Sequence, residues 1–356
     1  MASKVFFMPA SEIDGHEALA EKTKRIFSAL GLKKAVEKDS FVGIKIHFGE
    51  KGTTGYIKPP WLKHLIEDLK KTKAKIFLTD TNTLYIGNRS NSVEHLRLAA
   101  EHGFSLESMG IPVIIADGLI GKESGEVEVN LDHVRSAKIA STFFHTDVLL
   151  CLSHFTGHIL TGFGAAIKNL GMGCASRAGK LEQHSDVHPW VSAKACTNCS
   201  ICLEHCPADA IEQADGNARI IDERCIGCGE CLVVCNFGAV KMKWDGDALR
   251  VQEKMAEYAY AVLKSVKKKA GFINYLIKIT KDCDCMSENG KIIAADLGIL
   301  ASLDPVAVDK ASVDLLVEAG GRDFLREAID VDWSAQLRHA EKIGLGSMEY
   351  ELDNLL

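Results

Sequence analysis

Cys196-Thr-Asn-Cys199-Ser-Ile-Cys202-Leu-Glu-His-Cys206-Pro207 and, after residues 207–224, Cys225-Ile-Gly-Cys228-Gly-Glu-Cys231-Leu-Val-Val-Cys235 are two runs of one pattern, C-x2-C-x2-C-x3-C. Three thiolates so spaced on one tight loop reach three irons of a cubane, and the fourth Cys, set just beyond on a short helix, points to the other cluster. Cys196, Cys199, Cys202 and Cys235 are thereby assigned to one [4Fe–4S] cluster, and Cys225, Cys228, Cys231 and Cys206 to a second. Structural zinc needs four ligands, usually as two separated Cys pairs, and gives no reason for the third and fourth Cys of each run. Disulfides fit poorly, because Met1 to Gly15 lacks the basic-then-apolar pattern of an export signal.

The details around the cysteines resemble a bacterial two-cluster ferredoxin module. Pro207 follows the first run, Ala210-Ile211 matches the usual ending, and Ile220-Ile221-Asp222 reads as a strand leading into the second run. Asn236 stands where the second run usually has Pro, which leaves the ligands untouched. Gly227 and Gly229 suit a loop whose amides turn inward toward cluster sulfurs.

Of 356 residues, 47% are hydrophobic and 25% charged, which leaves enough chain outside the cysteine module for one large domain or two small ones. A net charge of −6 argues against a nucleic-acid platform. No apolar run approaches the length of a membrane span, so no membrane partner and a cytoplasmic location are expected. Twelve Cys in such a chain point to metal or redox chemistry, and paired low-potential clusters to anaerobic metabolism.

On both sides of the module, strand and helix patterns alternate. Phe41 to His47, Ile76 to Thr79, Val113 to Ala116 and Val148 to Leu152 read as strands, and His16 to Leu30, Trp61 to Lys71 and Ser92 to His102 as helices between them. Beyond the module, Val251 to Val266 is an amphipathic helix, Phe272 to Ile279 and Leu297 to Ala301 are strands, and Asp304-Pro305 starts a further helix. The expected architecture is α/β, a mainly parallel sheet with flanking helices and a small α+β two-cluster ferredoxin-like domain inserted. Residues 1–189 form the first part of the body, 190–245 the insertion and 246–356 the second part.

Several stretches identify the chain as resembling the DUF362 family of iron–sulfur proteins. They include Lys45 to Glu50, Leu78 to Tyr85, Gly162 to Arg177, Gln252 to Ala259, Cys283-Asp-Cys285 and Asp296 to Ala307. The resemblance implies an α/β body with the ferredoxin module inserted, and brings no assigned activity.

Outside the module, Leu152 to Ser185 is dense in groups able to bind a ligand, among them His154, His158, Lys168, Arg177, Lys180 and His184. Ligands collect at the carboxyl ends of parallel strands, where His47 and Asp80 are also expected. His158, Lys168, His184 and Asp80 are the catalytic candidates. The first three are similar in spacing to the His, Lys and His of nickel-pincer lactate racemases, a resemblance that implies a proton-transfer His, a cofactor-tethering Lys and a nickel-ligating His. Gly171 to Lys180 departs from a nucleotide-binding loop, having five residues before Gly-Lys and Leu181 in place of Ser or Thr, though its amides with Lys180 and Arg177 could cradle an anion. Cys283 and Cys285 form a C-x-C pair which, completed by His154 or His158, would offer a further soft-metal site. Cys151 and Cys174 are expected in the core.

The expected function is electron transfer through two [4Fe–4S] clusters, between a redox protein partner and a site or partner on the body. The alternatives are a redox enzyme with a small-molecule or metal site around Gly157 to His184 and Cys283/Cys285, and a binding or maturation protein with structural clusters.

Overall fold

The computed structural model describes residues 2–184, 188–241, 247–286 and 290–355. Its centre is an eight-stranded sheet whose strands we number in chain order: β1 Ser3–Pro9, β2 Phe41–Ile46, β3 Lys75–Asp80, β4 Val113–Ile115, β5 Val148–His154, β6 Lys269–Leu276, β7 Gly298–Ser302 and β8 Tyr350–Asn354. The spatial order is β8-β1-β7-β6-β5-β2-β3-β4. From β6 through β4 every neighbouring pair is parallel, and β8 is parallel to β1. Only β7 runs against its neighbours β1 and β6. The architecture is therefore the expected mainly parallel α/β sheet, with strands from before and after the cysteines paired directly (Phe272 opposite Cys151).

The inner strands are near-continuous apolar runs because helices cover both faces. One face packs Phe272, Leu300, Leu149 and Cys151 against the helices Ala166–Gly171, Ala248–Ser265 and Pro305–Gly320. The other packs Ile44, Leu150, Ile273 and Ile299 against Gly15–Leu30 and Lys63–Lys70. Cys151 and Cys174 are fully buried core residues, as expected. Asp304 starts the helix Pro305–Gly320 by accepting from the amides of Val306 and Ala307, at 2.8 and 3.1 Å.

The cysteine-bearing segment leaves and rejoins the body side by side, Trp190 pairing with Lys241 and Val191 with Val240. Its apolar residues Ile211, Leu232 and Val240 pack with Leu84 and Leu181 of the body. Two hairpins were not anticipated from the sequence, Ser124–Glu128 with Ser136–Ala140 and Thr156–His158 with Gly162–Gly164.

Candidate functional site

The carboxyl ends of β2, β3, β5 and β6 share one edge of the sheet, and a cavity of about 210 Å³ lies there. His47, Asp80 and His154 reach it from strand ends, His158, Lys168 and His184 from the segment after β5, and Cys283, Asp284 and Cys285 from the loop after β6. Parallel strands thus gather the candidates His47, Asp80, His154, His158, Lys168, Lys180, His184, Cys283 and Cys285 at one place, whereas Arg177 lies outside it.

Charge in this wall is mostly engaged in pairs. Lys45 sits in the middle of an apolar strand, with its ammonium 3.0 Å from Asp80 and 2.6 Å from the side-chain Oδ1 of Asn169. Burial opposes both charges, yet their attraction dominates: the Lys45 pKa is raised, and Asp80 is held well below the usual carboxylate range. Arg89 Nε lies 3.1 Å from Glu50, and its Nη1 is 3.6 Å from Asp80. Asp80 is therefore a buried counter-ion, with its charge engaged by Lys45 and Arg89.

His154 does not complete a metal site with Cys283 and Cys285. Its Nδ1 lies 2.8 Å from Asp284 and its Nε2 2.7 Å from the Ile277 carbonyl, so both nitrogens face acceptors. Burial would lower its pKa, but Asp284 outweighs that and raises it. The imidazolium clamps the Cys-Asp-Cys loop to the end of β5 by way of Asp284.

His158 is the imidazole that meets the sulfur atoms, its ligand atom and the two Sγ lying within 4.8 Å of one another. The two cysteines are joined to each other. Nδ1 of His158 accepts from the amides of Leu160 and Thr161, at 3.3 and 3.2 Å, which leaves the ring proton on Nε2. As folded, this is the tautomer of a hydrogen-bond donor. Nδ1 of His47 likewise accepts from the Gly49 amide, at 3.0 Å. Burial, then Lys168 and His184, hold the His158 pKa well below its ordinary value, and burial with Lys168 and Lys180 brings His184 to about 4. Both rings are neutral at pH 7.

Lys168 lies across Gly164, where an added Cβ would come within 2.8 Å of its Cδ. Burial pushes its ammonium down to about 8.

Arg177 and Lys180 do not cradle an anion. The segment Arg177–His184 is helical, and Lys180 donates to Thr81 Oγ1 and to the carbonyls of Asn82 and Ala175. Arg177, fully buried, donates to Glu230 at 2.9 Å and to the carbonyls of Ser90 and Thr83. The glycine-rich stretch is a close-packed corner, and Arg177 joins body to module. No signal in the sequence linked Arg177 to Glu230, 53 residues away.

In the module, Cys206, Cys225, Cys228 and Cys231 line one small cavity, and Cys196, Cys199, Cys202 and Cys235 line a second. The third Cys of each run lies on a short helix, Ile201–Glu204 or Glu230–Val234, and the fourth follows it, where the sequence had suggested a helical position. Asn198 and Ser200 in the first loop, Gly227 and Gly229 in the second, occupy equivalent left-handed positions, φ +55, +65, +64 and +72°. Position 200 carries a side chain at this φ, whereas a Cβ at Gly229 would lie 2.9 Å from Leu84 Cδ1 and force it to shift. The amides of Ala210, Ala218 and Ala239 donate to Cys206, Cys196 and Cys235 at 3.2, 3.4 and 3.2 Å, an arrangement that suits thiolates bound to iron.

An α/β sheet with an attached ferredoxin-like module defines an iron–sulfur protein. The DUF362 pattern, described as a domain of unknown function, matches residues 42–314, and the chain belongs to that family. Over 57 residues it is 40% identical to the putative electron transport protein YsaA of Escherichia coli, covering 15% of this chain and 36% of that one. Over 125 residues it is 30% identical to an iron–sulfur protein of Rhodospirillum rubrum, covering 34% and 58%. Among solved structures, the lactate racemase apoprotein from Thermoanaerobacterium thermosaccharolyticum aligns at a TM-score of 0.41 and 13% identity, over 77% of this chain and 50% of that one. A Thermotoga maritima protein aligns at 0.42 and 10%, over 92% and 59%. The chain spans less than two thirds of each of these relatives, and the structural likenesses carry no argument about activity. Among the described residues, no helix is long and apolar enough to cross a membrane.

Proposed function

We propose that this protein carries two [4Fe–4S] clusters and passes low-potential electrons between a redox protein partner and the cavity on its α/β body. The observation that supports this reading best is the crossed set of cysteines around the two module cavities, Cys206 with Cys225, Cys228 and Cys231, and Cys235 with Cys196, Cys199 and Cys202. Clusters held there would supply one-electron transfer at low potential. The module spans residues 190–245, inserted between body segments 1–189 and 246–356.

The Gly229–Glu230 end of the second loop faces the body, while Ile226 of the same loop is exposed. Gly229 packs against Leu84, Glu230 pairs with Arg177, and Leu84 also lines the large cavity. Cys199 of the first loop is exposed, with Phe237 and Trp190 exposed nearby in the module. The Gly229–Glu230 side is thus the inner end of the module, and the Cys199 side the end a partner protein reaches.

Anoxically purified protein tests the proposal. About eight irons per chain and a reduced-state EPR signal of two interacting clusters are expected. Four irons or fewer after full reconstitution, or one isolated signal, overturns it.

One observation favours a second reading. A half-buried lysine lining a cavity with neutral histidines suits a body that transforms its ligand, which would make the protein a redox enzyme. Ligand-dependent reoxidation of the reduced protein with no partner present separates the two readings.

A further inference from the structure

The charges around the large cavity do not all find partners within the wall. Lys45 pairs with Asp80, Arg89 with Glu50 and His154 with Asp284, while all three Lys180 protons reach oxygen acceptors. With Cys283 and Cys285 joined to each other, the loop between β6 and β7 brings no further negative charge to the cavity beyond Asp284. Lys168 remains. Among the described residues, no hydrogen bond or ion pair engages its ammonium, although the half-buried side chain lines the cavity; Asp284, the carboxylate that acts on it most, is already bonded to His154. An ammonium that lines a cavity and lacks a bonded counter-charge is free to meet an anion that enters it.

The neighbouring groups narrow what that is. The amide contacts to Nδ1 leave His158 and His47 each with an Nε2 proton, so the polar side of the cavity offers donors. The lining also includes the apolar Leu152, Ala165, Met172 and Val251. One unpaired positive charge and neutral donors, with apolar residues in the same lining, fit a ligand with one negative charge and a short carbon chain. A phosphate dianion would meet too little positive charge.

We propose that the cavity binds a short-chain monocarboxylic acid, with its carboxylate on Lys168 and His158 and its carbon chain against Leu152 and Met172. This rests on the reading of the cavity as the ligand site of the body and names the ligand class.

The test uses the full chain, purified anoxically with its clusters in place. Calorimetric titration with propionate, propionamide and inorganic phosphate compares three ligands on the unmodified protein. Propionate is expected to bind at least about tenfold more tightly than either of the others, the usual size of a charge-assisted hydrogen bond. Lys168→Met is expected to remove that preference, and Lys168→Arg to retain part of it, while iron content and the visible spectrum stay those of the parent. Equal binding of propionate and propionamide overturns the proposal, as does phosphate binding as tightly as propionate. An unchanged propionate affinity in Lys168→Met does the same. If Lys168→Met does not fold, the comparison of the three ligands on the parent protein decides. Iron content and the EPR signal report separately on the clusters, so loss of the electron-transfer reading is distinguishable from loss of this one.

Discussion

The Arg177 guanidinium lies 2.9 Å from the Glu230 carboxylate, and both side chains are buried between body and module. Apart from Lys122, 3.5 Å away, nothing else neutralises Glu230 among the described residues. Arg177→Met therefore leaves a buried carboxylate short of its partner and is expected to cost about 3–5 kcal/mol. Thermal unfolding under anoxic conditions checks the size of the loss. Faster release of iron in air would show that the seat of the module has loosened.

Gly229 and Ser200 hold equivalent positions in the two cysteine loops, and only Gly229 packs against the body. Gly229→Ala should cost about 1–2 kcal/mol through its left-handed backbone alone, with the contact to Leu84 adding to that. Its mirror, Ser200→Gly, should leave stability within about 1 kcal/mol and iron content unchanged. Iron per chain after reconstitution compares the two. Equal losses would remove the asymmetry argued here.

The ion pair between His154 and Asp284 gives the Cys-Asp-Cys loop a definite pH window. His154 has a raised pKa when folded, so its contribution is complete below the ordinary histidine value and is lost as pH rises through the folded one. Asp284 has a lowered pKa, so its contribution is complete above the ordinary carboxylate value and is lost as pH falls through the folded one. The stability difference between the parent and His154→Gln should be greatest at about pH 5–6 and shrink on either side. Melting temperatures across that range measure it, and a flat difference would refute the coupling.

Cys283 and Cys285 stand apart from both groups of four cysteines in the module. Replacing both by Ser should leave iron content and the cluster spectrum as in the parent. Loss of iron in the double variant would mean that the eight-cysteine assignment is wrong.

Much of this was legible in the chain because burial on both faces leaves an unbroken apolar run. Val148 to Leu152 and Leu297 to Ala301 could be read as strands for that reason. Direction could not. β7 and β5 look alike in sequence, and only pairing across the sheet makes one antiparallel. In the hairpin of Ser124–Glu128 with Ser136–Ala140, the first strand alternates half-buried and exposed residues without a strong apolar signal, although its partner buries Ala137, Ile139 and Ala140. Within the site, Asp80, His158, Lys168 and His184 were readable because strand ends in a parallel sheet converge. What His154, Arg177 and Lys180 do depends on partners more than fifty residues away, respectively Asp284, Glu230 and Thr81. Lys45 was the neglected signal, since a lysine within Phe41–Ile46 requires a buried counter-charge nearby.

The outermost strand, Tyr350–Asn354, pairs along Ser3–Phe7 and leaves its other side open. Open strand margins invite a second molecule to add its own strand and so seed aggregates, but here the margin carries Glu351 and Asp353. At the opposite limit of the sheet, Val113–Ile115 spans only three residues, too few to template a neighbour. Charged side chains on one flank, where Asp353 also pairs with Lys4, and brevity on the other would keep the sheet from growing beyond its own chain.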